Sequence, residues 1–261
     1  MVERARSTER SAEKAGTGTG AGGPTHRRRT GTRAGRLWAA LGLVVGGAGL
    51  VGWLAPGGLG DPAVLRVTDG ASADGYRSIV GAMAGSPGWL HRLVEVTTDA
   101  ALLILLALVA GIGWLGRRRD PFLLAGAVLV LVATGAAYAL SEASKLVVDQ
   151  ERPCRALTGV QPMAACPDVG DWSFPSNHAT IAGALAMGLA LVVPRLAVFT
   201  LPLAGLTALL RVVAGVHYPH DVLAGLVLGG VLAAATVTVA RGPTVRLLRV
   251  LRLAPASGRG R

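Results

Sequence analysis

Six stretches of this chain are apolar and almost free of charge: 37–55, 100–116, 121–140, 179–193, 196–210 and 222–240. Crossing the hydrocarbon core of a bilayer takes about 20 apolar residues in helical form. The first, third and last runs reach that length, while the fourth and fifth have 15 residues each and must borrow neighbours such as 212–216. The pattern predicts an all-α integral membrane bundle of six transmembrane helices. Between the first two runs, 56–99 is mixed and broken by Gly-Gly, Asp-Pro and Ser-Pro-Gly. Within it Tyr76, Ile79, Val80 and Met83 recur at helical spacing, which predicts a short interfacial helix. Residues 1–36 are rich in Gly, Thr, Ser, Ala and Arg, cannot bury a core and are expected to be disordered. They are too long and polar for a simple cleaved signal peptide, and read as a cytoplasmic tail that touches anionic lipid through Arg27, Arg28 and Arg29. Residues 241–261 form a second basic tail, leaving 37–240 as the membrane domain, and no repeat of 20–50 residues is visible.

Composition agrees with that pattern. The chain is 51% hydrophobic and 16% charged, with mean hydropathy +0.51, which is too little charge for a soluble protein of this size. Its 37 glycines suit close helix approach in lipid. A net charge of +11 invites a nucleic-acid reading, but the distribution of the charges removes it. With six spans and both ends inside, 19 of the 26 Lys and Arg fall on the inner side. Basic loops favour the cytoplasm, so a multi-pass protein of the cell membrane with both termini cytoplasmic is expected.

Three polar islands interrupt this background, and the orientation puts all three on the outer face. In 145–153, Lys145 and Arg152 are seven residues apart, which two turns of helix would bring to one face before Pro153 ends it. Two such cations suit a phosphate, although a solvated helix pairing with Asp149 and Glu151 would read the same way. In 174–178, Ser176 stands where it would N-cap the fourth span, and the free N–H groups there make an anion site beside His178. The plainer alternative is a capping serine and an interfacial histidine. In 211–221, Arg211, His217 and Asp221 lie where charge is costly, with His217 and Asp221 four apart. A neutral imidazole there could attack phosphorus while the carboxylate holds its other nitrogen; His220 is expected to face water as a bystander. Zinc ligands of the right kind are present, but without His-Glu-x-x-His or a paired-cysteine spacing, and a metal would leave the three cations unexplained. No Gly-x-Ser-x-Gly elbow supports a serine hydrolase. Cys154 and Cys166 flank an outer loop that a disulfide could hold over the site.

These islands resemble the signatures of the type 2 phosphatidic acid phosphatases, the PAP2 or lipid phosphate phosphatase and haloperoxidase superfamily. Lys-x6-Arg-Pro reads here Lys145…Arg152-Pro153, Pro-Ser-Gly-His reads Pro175-Ser176-Asn177-His178, and Ser-Arg-x5-His-x3-Asp reads Leu210-Arg211…His217…Asp221. Asn177 replaces a glycine and Leu210 a serine. The resemblance covers about 90–240 and implies a metal-independent phosphatase without cofactor. His217 would be the nucleophile, Asp221 its orienting carboxylate and His178 the acid–base. Lys145, Arg152, Arg211, Ser176 and the backbone near Asn177 would hold the phosphoryl oxygens. Phosphatidic acid, phosphatidylglycerol phosphate and polyprenyl phosphates or diphosphates are the implied substrates. A phosphotransferase using the same site, or a non-catalytic transporter or scaffold, are the alternatives, and six lipid-spanning runs argue against a haloperoxidase.

Overall fold

A computed structural model of the chain describes residues 33–57, 64–251 and 253. The tail 1–32, with Arg27, Arg28 and Arg29, and most of 251–261 lie outside the described residues. The rest is helical: α1 (Arg33–Leu54), α2 (Gly70–Ala82), α3 (Gly88–Arg119), α4 (Pro121–Ser144), α5 (Pro153–Ala156), α6 (Asn177–Val192), α7 (Ala197–Val213) and α8 (Pro219–Val250). Among the described residues, extended pairing is limited to one isolated bridge between Leu65 and Gln150. Local chemistry sets the sharper helix ends. Asp120 accepts from the Phe122 N–H at 2.8 Å and Pro121 takes the first turn of α4, so α3 and α4 turn back on each other beside Arg117, Arg118 and Arg119.

Five of these helices, α1, α3, α4, α8 and the segment Pro194–Val213 that contains α7, are long and apolar enough to cross a membrane. The sixth expected span is α6, with 16 residues. At 1.5 Å per residue it rises about 24 Å, short of a hydrocarbon core of about 30 Å. It manages with that length because it is interior: Ala179, Ala182, Ala184, Leu185, Ala186 and Leu189 are all buried, and α4, α7 and α8 surround it. Its first residues therefore start inside the bundle, where the polar islands gather.

Helix α8 is the common partner of α6, α4 and α1. Where it crosses α6, a Cβ on Gly229 would lie 2.0 Å from the Thr180 carbonyl oxygen, and one on Gly225 would lie 2.6 Å from that of Ser176. The two backbones touch because neither position carries a side chain. Helix α1 sits at the edge, burying only Ala40 and Gly47, with Val231 of α8 filled in against Gly47. Its Leu37, Trp38, Val45 and Trp53 are exposed, an apolar surface suited to lipid. Helix α2 buries Ala73, Tyr76 and Val80, and its C-cap Met83 is half-buried against Val94, Met163, Ala214 and Val216.

Four stretches differ from the sequence expectation. Residues 33–36, expected in the disordered tail, are the first turn of α1. Residues 145–152 are not two turns of helix: α4 stops at Ser144, and Gln150 is extended against Leu65, with the Leu65 N–H donating to the Asp149 carbonyl and the Glu151 N–H to that of Leu65. Helix α3 starts at Gly88, well before 100; its early turns bury Val94 and Thr98, whose hydroxyl bonds back to the Val94 carbonyl, while Arg92 and Glu95 are exposed. Helix α8 passes through Pro243 to Val250, so 241–250 is not tail: Val245 and Leu248 are buried with Ala125 of α4.

Candidate active site

One end of the bundle collects the C-terminal ends of α4 and α7 and the N-terminal ends of α6 and α8. The turn between α7 and α8 depends on Gly215, whose φ of +81° and close approach to Pro162 exclude a side chain. A cavity of about 280 Å³ opens there, lined by Lys145, Arg152, Asp171, His178, Arg211 and His217, with Leu102, Tyr138 and Ile181 as its apolar wall. Asn177 also lines it, so six of the eight residues singled out above meet at one cavity, while Asp221 and Ser176 are fully buried and do not line it.

His217 is buried and closely held. Arg152 Nη1 lies 3.2 Å from its Nε2 and can only donate, so Nε2 presents a lone pair and the proton sits on Nδ1. Nδ1 faces the Ser173 carbonyl oxygen at 3.0 Å and Asp221 Oδ2 at 3.5 Å. Burial, opposed by Asp221 and aided by Arg152, lowers the imidazole pKa to about 4, so it is neutral at ordinary pH. Asp221 is fully buried. Its Oδ2 accepts from the Tyr218 N–H at 2.8 Å and from the Ser173 hydroxyl, while Oδ1 accepts from Gln150 Nε2 at 3.0 Å. The bond from Tyr218 makes Asp221 the N3 member of a capping box, with Pro219 in the same first turn. One carboxylate thus starts α8 and backs His217.

The cations are engaged as well. Arg152, 4% exposed, donates Nη1 to the Val216 carbonyl at 3.0 Å and Nε to that of Asp171 at 2.8 Å, and its Nη2 lies 2.9 Å from Asp171 Oδ1. Lys145 Nζ is 2.8 Å from Glu142 Oε1 and 3.5 Å from Asp171 Oδ1. Burial alone would raise the Asp171 carboxyl, but Arg152 and Lys145 hold it below its usual range. His178, on the first turn of α6, points Nε2 toward Asp99 Oδ1 of α3 at 3.6 Å, an ion-pair distance rather than a hydrogen bond. The Asn177 side chain ties α6 to α4, donating to Glu142 Oε1 at 2.6 Å and accepting from the Ser141 hydroxyl at 2.7 Å.

Ser176 occupies the N-cap position, but its hydroxyl makes no capping bond. Among the described residues, Ser176 Oγ and Arg211 Nε are the buried side-chain polar atoms left without a hydrogen-bond partner. His220 does not face water: it is buried, hydrogen-bonded to Ser72 and Gln150 and 3.0 Å from Asp221 Oδ1, because α2 folds over the start of α8. Cys154 and Cys166 form a disulfide, and the intervening loop is further held by Arg155, which pairs with Glu151 and donates to the Pro167 carbonyl. Asp171, Ser173, Gln150 and Asp99 escaped the sequence reading. None stands at a spacing that announces a role, although Gln150 lies within the Lys145…Arg152 island and Ser173 two residues before cis-Pro175.

The PAP2 superfamily model matches residues 126–243. Decaprenylphosphoryl-5-phosphoribose phosphatase of Mycobacterium tuberculosis is 36% identical over 141 residues, which cover 53% of this chain and 72% of that protein. The chain belongs to the PAP2 superfamily. Other PAP2 relatives match shorter parts. Undecaprenyl-diphosphatase of Sulfolobus acidocaldarius is 31% identical over 48% of this chain and 61% of its own, and lipid A 1-phosphatase of Rhizobium etli is 43% identical over 26% and 29%. The fold is that of the transmembrane PAP2-type phosphatidylglycerolphosphate phosphatase from Bacillus subtilis, at a TM-score of 0.51 and 20% identity over 75% of this chain and 92% of that one.

Proposed function

We propose that this PAP2 protein is a multi-pass membrane enzyme that releases phosphate from lipid phosphate monoesters or diphosphates through a phosphohistidine on His217. The observation that carries this reading is Arg211 Nε, a buried donor without a partner among the described residues, on a residue that lines the cavity with Lys145 and Arg152. Buried polar atoms seldom go unpaired, and a phosphoryl oxygen would satisfy it. The apolar wall of Leu102, Tyr138 and Ile181 gives the lipid chain a side on which to lie. The named activities of the relatives, all on lipid-linked phosphates, agree with that class.

In the first step His217 Nε2 donates its lone pair to phosphorus and the bond from phosphorus to the lipid oxygen breaks. The leaving oxygen takes a proton from His178. The Nδ1–H, directed at the Ser173 carbonyl and Asp221, carries the positive charge that grows on the ring. Arg152, Lys145 and Arg211 face the charge building on the phosphoryl oxygens. Water, losing its proton to His178, then attacks phosphorus, the P–N bond breaks and inorganic phosphate leaves. The concentration of arginine at the opposite end supports a cytoplasmic location for that end and an outward-facing site.

The test is phosphate release by purified protein in detergent on a panel of lipid phosphates with EDTA present. Release is expected with EDTA and is expected to vanish in His217→Ala; activity that survives the substitution sinks the nucleophile assignment.

A further inference from the structure

The phosphoryl chemistry above makes no use of His220, yet this imidazole sits against the other side of the same carboxylate. It is 9% exposed, with its ring stacked on Tyr218 (centroids 5.3 Å apart, planes at 19°) and on Phe174 (6.0 Å, 29°). Nε2 lies 3.0 Å from Asp221 Oδ1 and 3.1 Å from Gln150 Oε1. Both neighbours only accept, so Nε2 carries a proton, which it donates to Gln150 Oε1 while Asp221 Oδ1 lies at ion-pair distance. Nδ1 is 2.6 Å from Ser72 Oγ, which also lies 3.4 Å from the His220 backbone N–H. Ser72 therefore accepts from the backbone and gives its own hydroxyl proton to Nδ1. The Gln150 amide is oriented by the same logic, its Nε2 donating to Asp221 Oδ1 and its oxygen accepting from His220.

The two oxygens of Asp221 thus have separate sets of partners. Oδ2 takes Ser173, the Tyr218 N–H and the approach of His217; Oδ1 takes the Gln150 amide and the approach of His220. We propose that His220 is a positioning residue: by donating to Gln150 Oε1 it fixes the amide that in turn donates to Asp221 Oδ1, and so the rotation of that carboxylate; its own N–H dipole 3.0 Å from Oδ1 limits the charge left to His217, and through Ser72 it ties that setting to helix α2. The inference rests on the phosphohistidine reading, since its consequence is felt at His217. The charged groups facing His217 are Arg152, Arg211 and Asp221, and the titratable side chains facing Asp221 are the two histidines. Removing the His220 donor leaves more negative charge on Asp221, which favours the imidazolium form of His217. The acid limb of kcat/KM then moves to higher pH, and the buried carboxylate is free to turn away from the productive setting.

Three variants separate these effects. His220→Phe keeps an aromatic ring between Phe174 and Tyr218 and loses both nitrogens. His220→Gln places an N–H donor where Nε2 was, and His220→Asn places its amide where Nδ1 was, short of Asp221. With a lipid phosphate in detergent, His220→Phe and His220→Asn are expected to lose about 10–100-fold in kcat with KM little changed. Their acid limb should move to higher pH, and His220→Gln should recover most of both. Ser72→Ala, which frees Nδ1, should show a smaller change of the same kind. Wild-type kcat and pH limb in His220→Phe, or a glutamine no better than asparagine, would overturn the proposal; should the phenylalanine variant fail to fold, the glutamine–asparagine comparison alone decides it. Failure of the phosphohistidine reading looks different: an inactive wild type, or activity in His217→Ala.

Discussion

At the end of the bundle that holds Arg33, Arg36 and Arg246, three guanidinium groups line a cavity of about 510 Å³ beside Leu37 and Val239. All three are exposed, and the described residues give none of them an ion pair or a side-chain hydrogen bond. Lys145 and Arg152, at the other end, are buried and engaged: each meets the Asp171 carboxylate, and Arg152 also reaches two backbone carbonyls and His217. Both ends are basic, but the charge acts differently at each. An exposed arginine at a membrane surface keeps its hydration and helps fix orientation through long-range attraction. A buried cation has lost that hydration and persists only where counter-charges hold it in one geometry. Cation number therefore marks a side of the membrane, whereas cation burial marks a site.

That contrast can be broken most directly at Arg152. Arg152→Ala removes the contact to His217 Nε2 and two anchors of the surrounding loops, and kcat/KM should fall by about 10³-fold or more. Arg152→Lys should recover little of it, because one ammonium cannot span those directions. A mild loss in Arg152→Ala would mean that burial is not what makes a cation functional here. The pH profile probes the same burial. Desolvation lowers the His217 pKa to about 4, so the neutral nucleophile predominates above that pH and is lost as pH falls through it. The acid limb of kcat/KM in the wild type should accordingly lie well below the ordinary imidazole range, and a limb near pH 6.5 attributable to His217 would contradict it. Asp171→Asn sharpens the point, since it discharges the carboxylate shared by Lys145 and Arg152 while its backbone carbonyl still receives Arg152 Nε. Inorganic phosphate should inhibit this variant more strongly, by about 3–10-fold from the loss of one like charge; unchanged inhibition would remove Asp171 from the phosphoryl region. The smallest effect belongs to the far end. Replacing Arg33, Arg36 and Arg246 together by Gln should leave kcat/KM within about 2-fold, as expected for surface charges with no partners.

The same contrast explains what could be read before the fold was known. The apolar runs located the helices because lipid demands continuous hydrophobic length, a one-dimensional property. Helix ends were harder: the turns of α3 before 100 and of α8 after 240 are polar on one face only, and nothing in a linear apolar count distinguishes them from loop. Lys145 and Arg152 were legible as a pair, but for the wrong local reason, since a turn at 145–147, the extended backbone at Gln150 and the shared Asp171 bring them together rather than a common helix face. His220 was misread because its partners come from Ser72 and Gln150, at separations of 148 and 70 residues. Such partners follow from tertiary packing and leave no periodic trace. The Cys154–Cys166 pairing was left open by sequence and is present as a bond.

The bare glycine contact between α6 and α8 has one more implication. Because Gly225 and Gly229 put backbone against backbone, the helices carrying His178 and Asp221 behave as a single rigid strut, and neither can shift to admit a bulkier head group. Whatever adaptability this protein has toward different lipids must be sought on the remaining sides of the cavity, at Leu102 of α3, Tyr138 of α4 and the disulfide-bound loop that ends at Pro167. A chain diversifying its substrate would change there first and keep its glycines.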